Sequence, residues 1–136
     1  MSYGVAGALQ AAVYQHLVGD GALDALVSGA IFDAVPAGTV PDLYVSIGPE
    51  DVRDRSDKTG GGALHIFTVS VIDNGAGFAR AKAAAAAVSD ALVDASLTLS
   101  RGTLVSLRFD RARARRVQTG DLRRIDLTFR ARVDDS

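Results

Sequence analysis

The last stretch of the chain alternates apolar and polar residues more regularly than any other part. Apolar positions there are Ile125, Leu127, Phe129, Ala131 and Val133, and polar ones are Arg124, Asp126, Thr128, Arg130 and Arg132. Successive side chains of a strand point to opposite faces of the sheet, so the pattern predicts a strand with one apolar face and one arginine-rich face. The same alternation predicts a second strand in which Val105, Leu107 and Phe109 are buried beside the first. Arg108 is then expected to share one sheet face with Arg124, Arg130 and Arg132.

The rest of the chain contains some segments with helical periodicity and others with strand periodicity. Apolar spacing predicts helices over 4–18, from Asp20 to about Val27, and from Phe78 to Leu92. Short extended pieces are predicted at 31–35, 43–47 and 64–73. No repeat or linker divides the 136 residues, so we expect a single domain over residues 1–136. The order of elements predicts an α+β fold, an antiparallel β-sheet with helices packed on one face.

Two polar stretches interrupt this periodicity. Residues 50–62 are charged and end in consecutive glycines, and residues 111–121 are polar and rich in arginine. Such composition favours loops, so mobile loops are predicted near 50–62 and 111–121, the second as the tip of an extended hairpin.

Charge is unevenly distributed along the chain. Residues 101–136 contain ten arginines and five aspartates, a net charge of +5, whereas residues 1–100 contain five basic and eleven acidic residues, a net charge of −6. This asymmetry is compatible with nucleic-acid binding. It is equally compatible with one protein surface built to meet another of opposite sign.

Residues able to carry catalysis are scarce. The chain has no cysteine, and neither His16 nor His65 has a second potential ligand at the spacing of a metal site. The Gly75-Ala76-Gly77 turn has Arg80 where a dinucleotide-binding motif requires its third glycine. We therefore predict no catalytic, cofactor-binding or metal-binding residue, no cofactor, and no enzymatic activity. No apolar run approaches the roughly 18 residues of a membrane span, so no membrane partner is expected.

The arginine-rich end therefore predicts an interaction surface. Modules that bind single-stranded nucleic acid usually stack bases on exposed aromatic residues, and the predicted arginine-bearing faces contain none. A protein interface is favoured, and a basic nucleic-acid-binding module stays open as an alternative. The residues predicted to form such an interface are Asp51, Arg53, Asp54, Arg55, Asp57, Lys58, Arg108, Arg111, Arg113, Arg115, Arg116, Arg124, Arg130 and Arg132.

Several motifs together resemble one known family. They are Ile31–Pro36, Pro41–Gly48, the loop of Asp54, Ser56, Lys58, Thr59 and Gly60, the alanine-rich helix ending in Leu92, Leu104–Phe109 and Phe129–Val133. In this order and spacing they are similar to the tail-terminator, or tail-completion, proteins of long-tailed phages. The likeness is strongest to the copies found in gene transfer agents, the phage-derived particles of some bacteria.

This resemblance implies a structural function. Tail terminators form a hexameric ring on the head-proximal end of the tail tube, stop tube growth and join the tail to the head. The implied partners are further copies of the chain, the tail tube protein and a head-neck connector, with DNA passing through the lumen without specific binding. The implied location is the tail or neck of a virion or gene-transfer-agent particle, after synthesis in the bacterial cytoplasm. Another neck component, a stopper or adaptor, is the alternative within this class.

Overall fold

Three helices and five strands make up the chain in the computed structural model, which describes residues 3–56, 61–75, 77–117 and 122–135. The helices are α1 (Ala6–Val18), α2 (Gly21–Val27) and α3 (Ala79–Leu92). The strands are β1 (Ile31–Phe32), β2 (Leu43–Asp54), β3 (Gly62–Asp73), β4 (Thr103–Arg116) and β5 (Arg123–Asp134). No described helix is long and apolar enough to span a membrane.

The strands form one sheet in the order β1-β2-β3-β5-β4. Neighbours from β2 to β4 are antiparallel, whereas the two-residue β1 runs parallel to β2. The predicted α+β class is therefore confirmed, but the sheet is mixed and the expectation of an antiparallel sheet is wrong at this edge. The parallel pairing arises because the chain from Phe32 returns to the start of β2 through residues 33–42 before it runs in the same direction again.

All three helices pack on the same face of the sheet, which is where the main core lies. Alternate residues of β5 (Ile125, Leu127, Phe129, Ala131) are buried, as the period of two predicts. Helix α3 meets them with small side chains, Ala81, Ala84 and Ala85, followed by Val88 and Leu92, all buried. Alanine combines high helix propensity with little bulk, so α3 can lie close to the strands.

The turns between these elements are held by carboxylates and glycines. Asp20 caps α2 by accepting a hydrogen bond from the backbone N–H of Leu23 at 2.9 Å. Asp73 at the end of β3 accepts a hydrogen bond from the Gly75 N–H at 2.8 Å and forms an ion pair with Arg80 in α3. These contacts direct the chain from the sheet into the helix layer.

Both loops predicted from composition are shorter in the structure. Strand β2 continues through Asp54 and β4 continues through Arg116, so the connections left are 55–61 and 117–122. A register shift between Ile47 and Glu50 interrupts the alternation of β2, and this irregularity obscured the strand in the sequence. The prediction that Val105 and Phe109 are buried with Leu107 is also wrong, since they are 53% and 44% exposed. Register shifts and the edge position of β4 account for this exposure.

Candidate functional site

Seven arginines of β4 and β5 share the sheet face that the helices leave open. Because α1 to α3 cover one face, the alternate residues of β4 and β5 point away from the core. We call this surface the arginine face and define it as Arg108, Arg111, Arg113, Arg115, Arg124, Arg130 and Arg132. Their common orientation follows from the register, in which Arg108 is opposite Arg130 and Arg115 is opposite Arg124. The predicted grouping of Arg108, Arg124, Arg130 and Arg132 on one face is confirmed.

Asp126 neutralises one part of the arginine face. Its carboxylate accepts a hydrogen bond from Arg124 Nε at 2.9 Å and one from the Ser70 hydroxyl at 2.6 Å. Arg115 lies 3.8 Å from the same carboxylate, and Arg124 also donates to the Ser70 hydroxyl at 3.2 Å. This network fixes the orientation of Arg124 without supplying enough negative charge for its neighbours.

The remaining arginines of this face have few partners. Arg130 lies 3.9 Å from the carboxylate of Asp110. Within the described part of the chain, no carboxylate lies within ion-pair distance of Arg108, Arg111, Arg113 or Arg132. Like charges this close repel one another, so the face favours contact with an anionic group from outside the chain.

A cleft of about 250 Å³ lies on the arginine face. Its charged lining is Arg111, Arg113, Arg115, Arg124 and Asp126. Four guanidinium groups against one carboxylate give this cleft a strong preference for carboxylate or phosphate oxygens. The remaining lining residues, Pro49, Thr68 and Thr128, offer no nucleophile–base pair.

Two of the acidic residues predicted for the interface, Asp51 and Asp54, lie in β2 of the same sheet. Register through Ile66 places Asp51 in line with Arg130, and Asp51 is 3.8 Å from Arg53. Asp54 accepts hydrogen bonds from the backbone and hydroxyl of Ser56, and these lower the pKa of its carboxyl. The guanidinium of Arg55 donates to the carbonyl of Asp54 at 3.0 Å.

The predicted interface residues also include Asp57, Lys58 and Arg116. Asp57 and Lys58 lie outside the described residues. Arg116 is opposite Arg123 in the register, one position beyond the Arg115–Arg124 pair, so it belongs to the helix-covered side of the sheet. Arginine therefore lines both sides of the end of the β4–β5 hairpin.

Sequence reasoning missed an apolar groove on the helix side of β4. The groove measures about 330 Å³ and runs between α3 and the edge of the sheet. Phe109, Ala112 and Ala114 form one wall, and Lys82 and Ala86 of α3 form the other. The signal was present in the sequence, where alanine alternates with arginine from position 111 to 115.

Both histidines lie outside the arginine face. His16 lies partly buried with Nε2 2.8 Å from the carbonyl of Ala91. His65 is fully buried, its Nδ1 lies 3.8 Å from Glu50, and burial lowers the pKa of its imidazole. No group of three potential metal ligands occurs among the described residues.

Comparison with known proteins identifies a matching family model and matching solved structures. The family model of Tail completion protein gp17 matches residues 11–134. A chain of the solved structure "Virion of native gene transfer agent (GTA) particle" is 68% identical, and the alignment covers 98% of this chain and 99% of that chain. The two structures superpose with a TM-score of 0.93. Curated protein sequences give no match.

Proposed function

The chain belongs to the family of Tail completion protein gp17, and from this premise we propose that it is a tail terminator. Tail completion proteins are components of the virion, so this chain is a structural protein of a phage-like particle. In the proposal, copies of the chain form a ring, of six subunits by the family resemblance, on the head-proximal end of the tail tube. The ring stops growth of the tube and joins the tail to the head.

The observation that carries the proposal is the set of arginines on one sheet face, of which Arg108, Arg111, Arg113 and Arg132 have no ion-pair partner among the described residues. The packed core supports these strands, and on β4 Arg111, Arg113 and Arg115 follow one another at a spacing of about 6.6 Å along the strand. An extended row of charged side chains suits a protein partner better than a small substrate. We propose that acidic groups of a neighbouring subunit, the tail tube protein or a head-neck connector cover this face.

A structural role without catalysis forms part of the same proposal. The polar residues of the arginine face supply positive charge and hydrogen-bond donors. The two histidines lie outside it, and the carboxylate of Asp126 is already bonded to Arg124 and Ser70. We expect the protein to act without a cofactor and to act only in its assembled form.

Deletion of the gene tests this function directly. The expected result is DNA-filled heads that stay unjoined, together with free tails of excessive or irregular length, because nothing stops the tube or joins it. Negative-stain images of particles from the deletion strain give both measurements. Tailed particles of normal length would contradict the terminator proposal. Unjoined heads beside tails of normal length would instead favour a stopper or adaptor.

The nucleic-acid alternative has its own test. A backbone-binding module holds DNA through phosphate contacts, whose affinity falls steeply with salt. Filter binding of the free protein to duplex DNA at low and physiological salt measures this. We expect no retention at physiological salt, and tight retention there would favour the nucleic-acid-binding module.

A further inference from the structure

The outer edge of β4 is long and uncovered. Among the described strands β4 pairs only with β5, and all its residues from Arg108 to Arg116 are exposed. An edge strand of this length presents a row of backbone N–H and C=O groups that can pair with another chain. Phe109 and Ala112 also expose apolar surface there. This edge therefore has the properties of a docking surface.

The opposite edge of the sheet has the complementary properties. It consists of the two-residue β1 and the exposed segment 33–42, which includes Val35 with 45% of its surface exposed. Asp33 and Asp42 are exposed at the two ends of this segment. Residues 33–42 contain two aspartates and neither lysine nor arginine, so this edge segment carries a net charge of −2.

Strand register places β1 and the arginine-rich half of β4 at the same level along the strand direction. Phe32 pairs with Ser46, Ser46 with Ser70, Ser70 with Asp126, and Asp126 with Arg113. This line across the sheet joins β1 to the arginine-rich half of β4. A copy displaced sideways, at right angles to the strands, would thus bring its segment 33–42 against the β4 edge. Asp33 would then lie near Arg111 and Arg113, and Asp42 near Arg115.

We propose that the β4 edge and the groove beside α3 hold segment 33–42 of a second copy of this chain. Val35 of the second copy fills the groove beside Ala112, and its Asp33 and Asp42 meet the arginines of β4. The contact joins two different surfaces of the same chain, so it repeats head to tail and can close into a ring. This inference rests on the proposed function and assigns the surfaces through which the subunits meet.

A symmetric contact between two β4 edges is disfavoured by charge. It would place Arg111, Arg113 and Arg115 of one copy against the same arginines of the other. Like charges across an interface destabilise it, whereas the acidic edge at β1 supplies the opposite sign. The head-to-tail arrangement is therefore the one that the charges favour.

Disulfide trapping tests the arrangement, because the chain has no cysteine of its own. The test variant carries Val35→Cys and Ala112→Cys and is introduced into assembling particles. The two positions lie at opposite edges of a five-stranded sheet, about 19 Å apart across four strand spacings. A disulfide needs Cα atoms about 4.4–6.8 Å apart, so no bond can form within one chain. We expect oxidation to give a ladder of dimers, trimers and higher species on a non-reducing gel.

The matched control moves one cysteine along the same strand. Val105→Cys is exposed on β4 but lies about 23 Å from position 112, so the Val35→Cys, Val105→Cys variant is expected to stay monomeric on the gel. Each single variant separates the remaining arrangements. Dimers from Ala112→Cys alone would overturn the inference in favour of a symmetric contact. A bond from Ala112→Cys to a different particle protein would overturn it in favour of that partner.

Negative-stain images of the same samples separate this inference from the proposed function. Rings on tail ends without a disulfide ladder would overturn the assigned surfaces and leave the terminator function standing. Tails of normal length that lack this protein at their ends would overturn the function itself. A ladder together with rings supports both.

Charge reversal gives a second test of the same contact. Arg113→Glu in the two-cysteine variant places a carboxylate opposite the acidic edge, and we expect at least a tenfold loss of the ladder. Adding Asp33→Arg exchanges the two charges and should restore part of it. A ladder unchanged by Arg113→Glu would contradict the assigned pairing. Circular dichroism of each variant confirms that the chain is folded.

Discussion

Phe129 and Phe109 show how position decides the contribution of one residue type. Phe129 is fully buried, and its ring stacks on Phe67 with centroids 5.6 Å apart. Phe109 contacts the ring of Phe129, with centroids 6.0 Å apart, but lies at the sheet edge. We expect Phe129→Ala to lower the free energy of unfolding by about 3–5 kcal/mol, because it leaves a cavity. Urea denaturation measures this, and Phe109→Ala is the matched control with a smaller loss. Equal losses would contradict the assigned strand face.

His65 makes stability depend on pH. Neither ring nitrogen has a hydrogen-bond partner among the described residues, and burial lowers the pKa of the imidazole despite nearby Glu50. The folded state thus takes up a proton less readily than the unfolded chain, whose histidines titrate near 6.5. The free energy of unfolding should therefore be unaffected by His65 above about pH 7. It should decrease as the pH falls through the imidazole pKa of the unfolded chain towards the lower pKa of the folded state. His65→Leu should flatten this decrease in urea denaturation between about pH 7 and 5, and an unchanged slope would contradict the assignment.

At the scale of elements, the sequence predicts those whose periodicity is uninterrupted. Helix α3 and strand β5 lie where the apolar spacing places them, because each buries one continuous face. The second halves of β2 and β4 were predicted as loops, since charged residues occupy their exposed ends. Local composition reports which side chains are solvated, whereas strand pairing there is fixed by the neighbouring β3 and β5.

Only part of the candidate site could be predicted from the sequence. Alternation alone placed Arg108, Arg124, Arg130 and Arg132 on one face, and the continued pairing of β4 with β5 added Arg111, Arg113 and Arg115. The alternating alanines of β4 indicate an apolar surface, but the apolar groove also depends on the distance between α3 and the sheet edge, which the local pattern does not determine. The acidic segment at β1 could not be related to the arginines either, since the order of strands in the sheet is a tertiary property.

Gly102 controls the connection between the segment after α3 and β4. Its φ is +75°, and a Cβ there would lie 2.7 Å from the carbonyl oxygen of Asp134 and 2.9 Å from a methyl group of Val5. We expect Gly102→Ala to destabilise the fold by about 2–4 kcal/mol, from backbone strain and from the clash with rigid backbone. Gly38→Ala is the matched control, since Gly38 has φ +92° and open space around it. This control should be destabilised by backbone strain alone. Thermal denaturation compares them, and equal losses would show that the clash is relieved.

At the scale of the whole molecule, negative and positive charge are concentrated towards opposite edges of one sheet. Of the six acidic residues in 1–52, one lies in α2, two lie in β2 and three lie in connections, whereas ten arginines belong to the last quarter of the chain. Ion pairs within the described chain use only part of that positive charge. An isolated copy therefore keeps two surfaces of opposite sign, and association neutralises both. This asymmetry suits a protein that acts by assembly.

Charge reversal on β5 tests the assembly role of the arginine face. Arg130 and Arg132 point away from the core, and β5 is paired on both sides, so Arg130→Glu with Arg132→Glu should leave the isolated fold intact. Exposed ion pairs contribute only about 0.2–1 kcal/mol each, so the loss of the Arg130–Asp110 contact should change stability little. Pairs buried in an assembled interface matter more, since losing one partner costs about 2–5 kcal/mol.

The double variant should therefore melt within a few degrees of the parent and yet fail to complement a deletion strain, with unjoined heads in negative-stain images. Arg130→Lys with Arg132→Lys keeps both charges and is the matched control, expected to retain most assembly. Normal particles from the double-glutamate variant would mean that Arg130 and Arg132 are simply hydrated, and the partner surface would then have to lie elsewhere on the molecule.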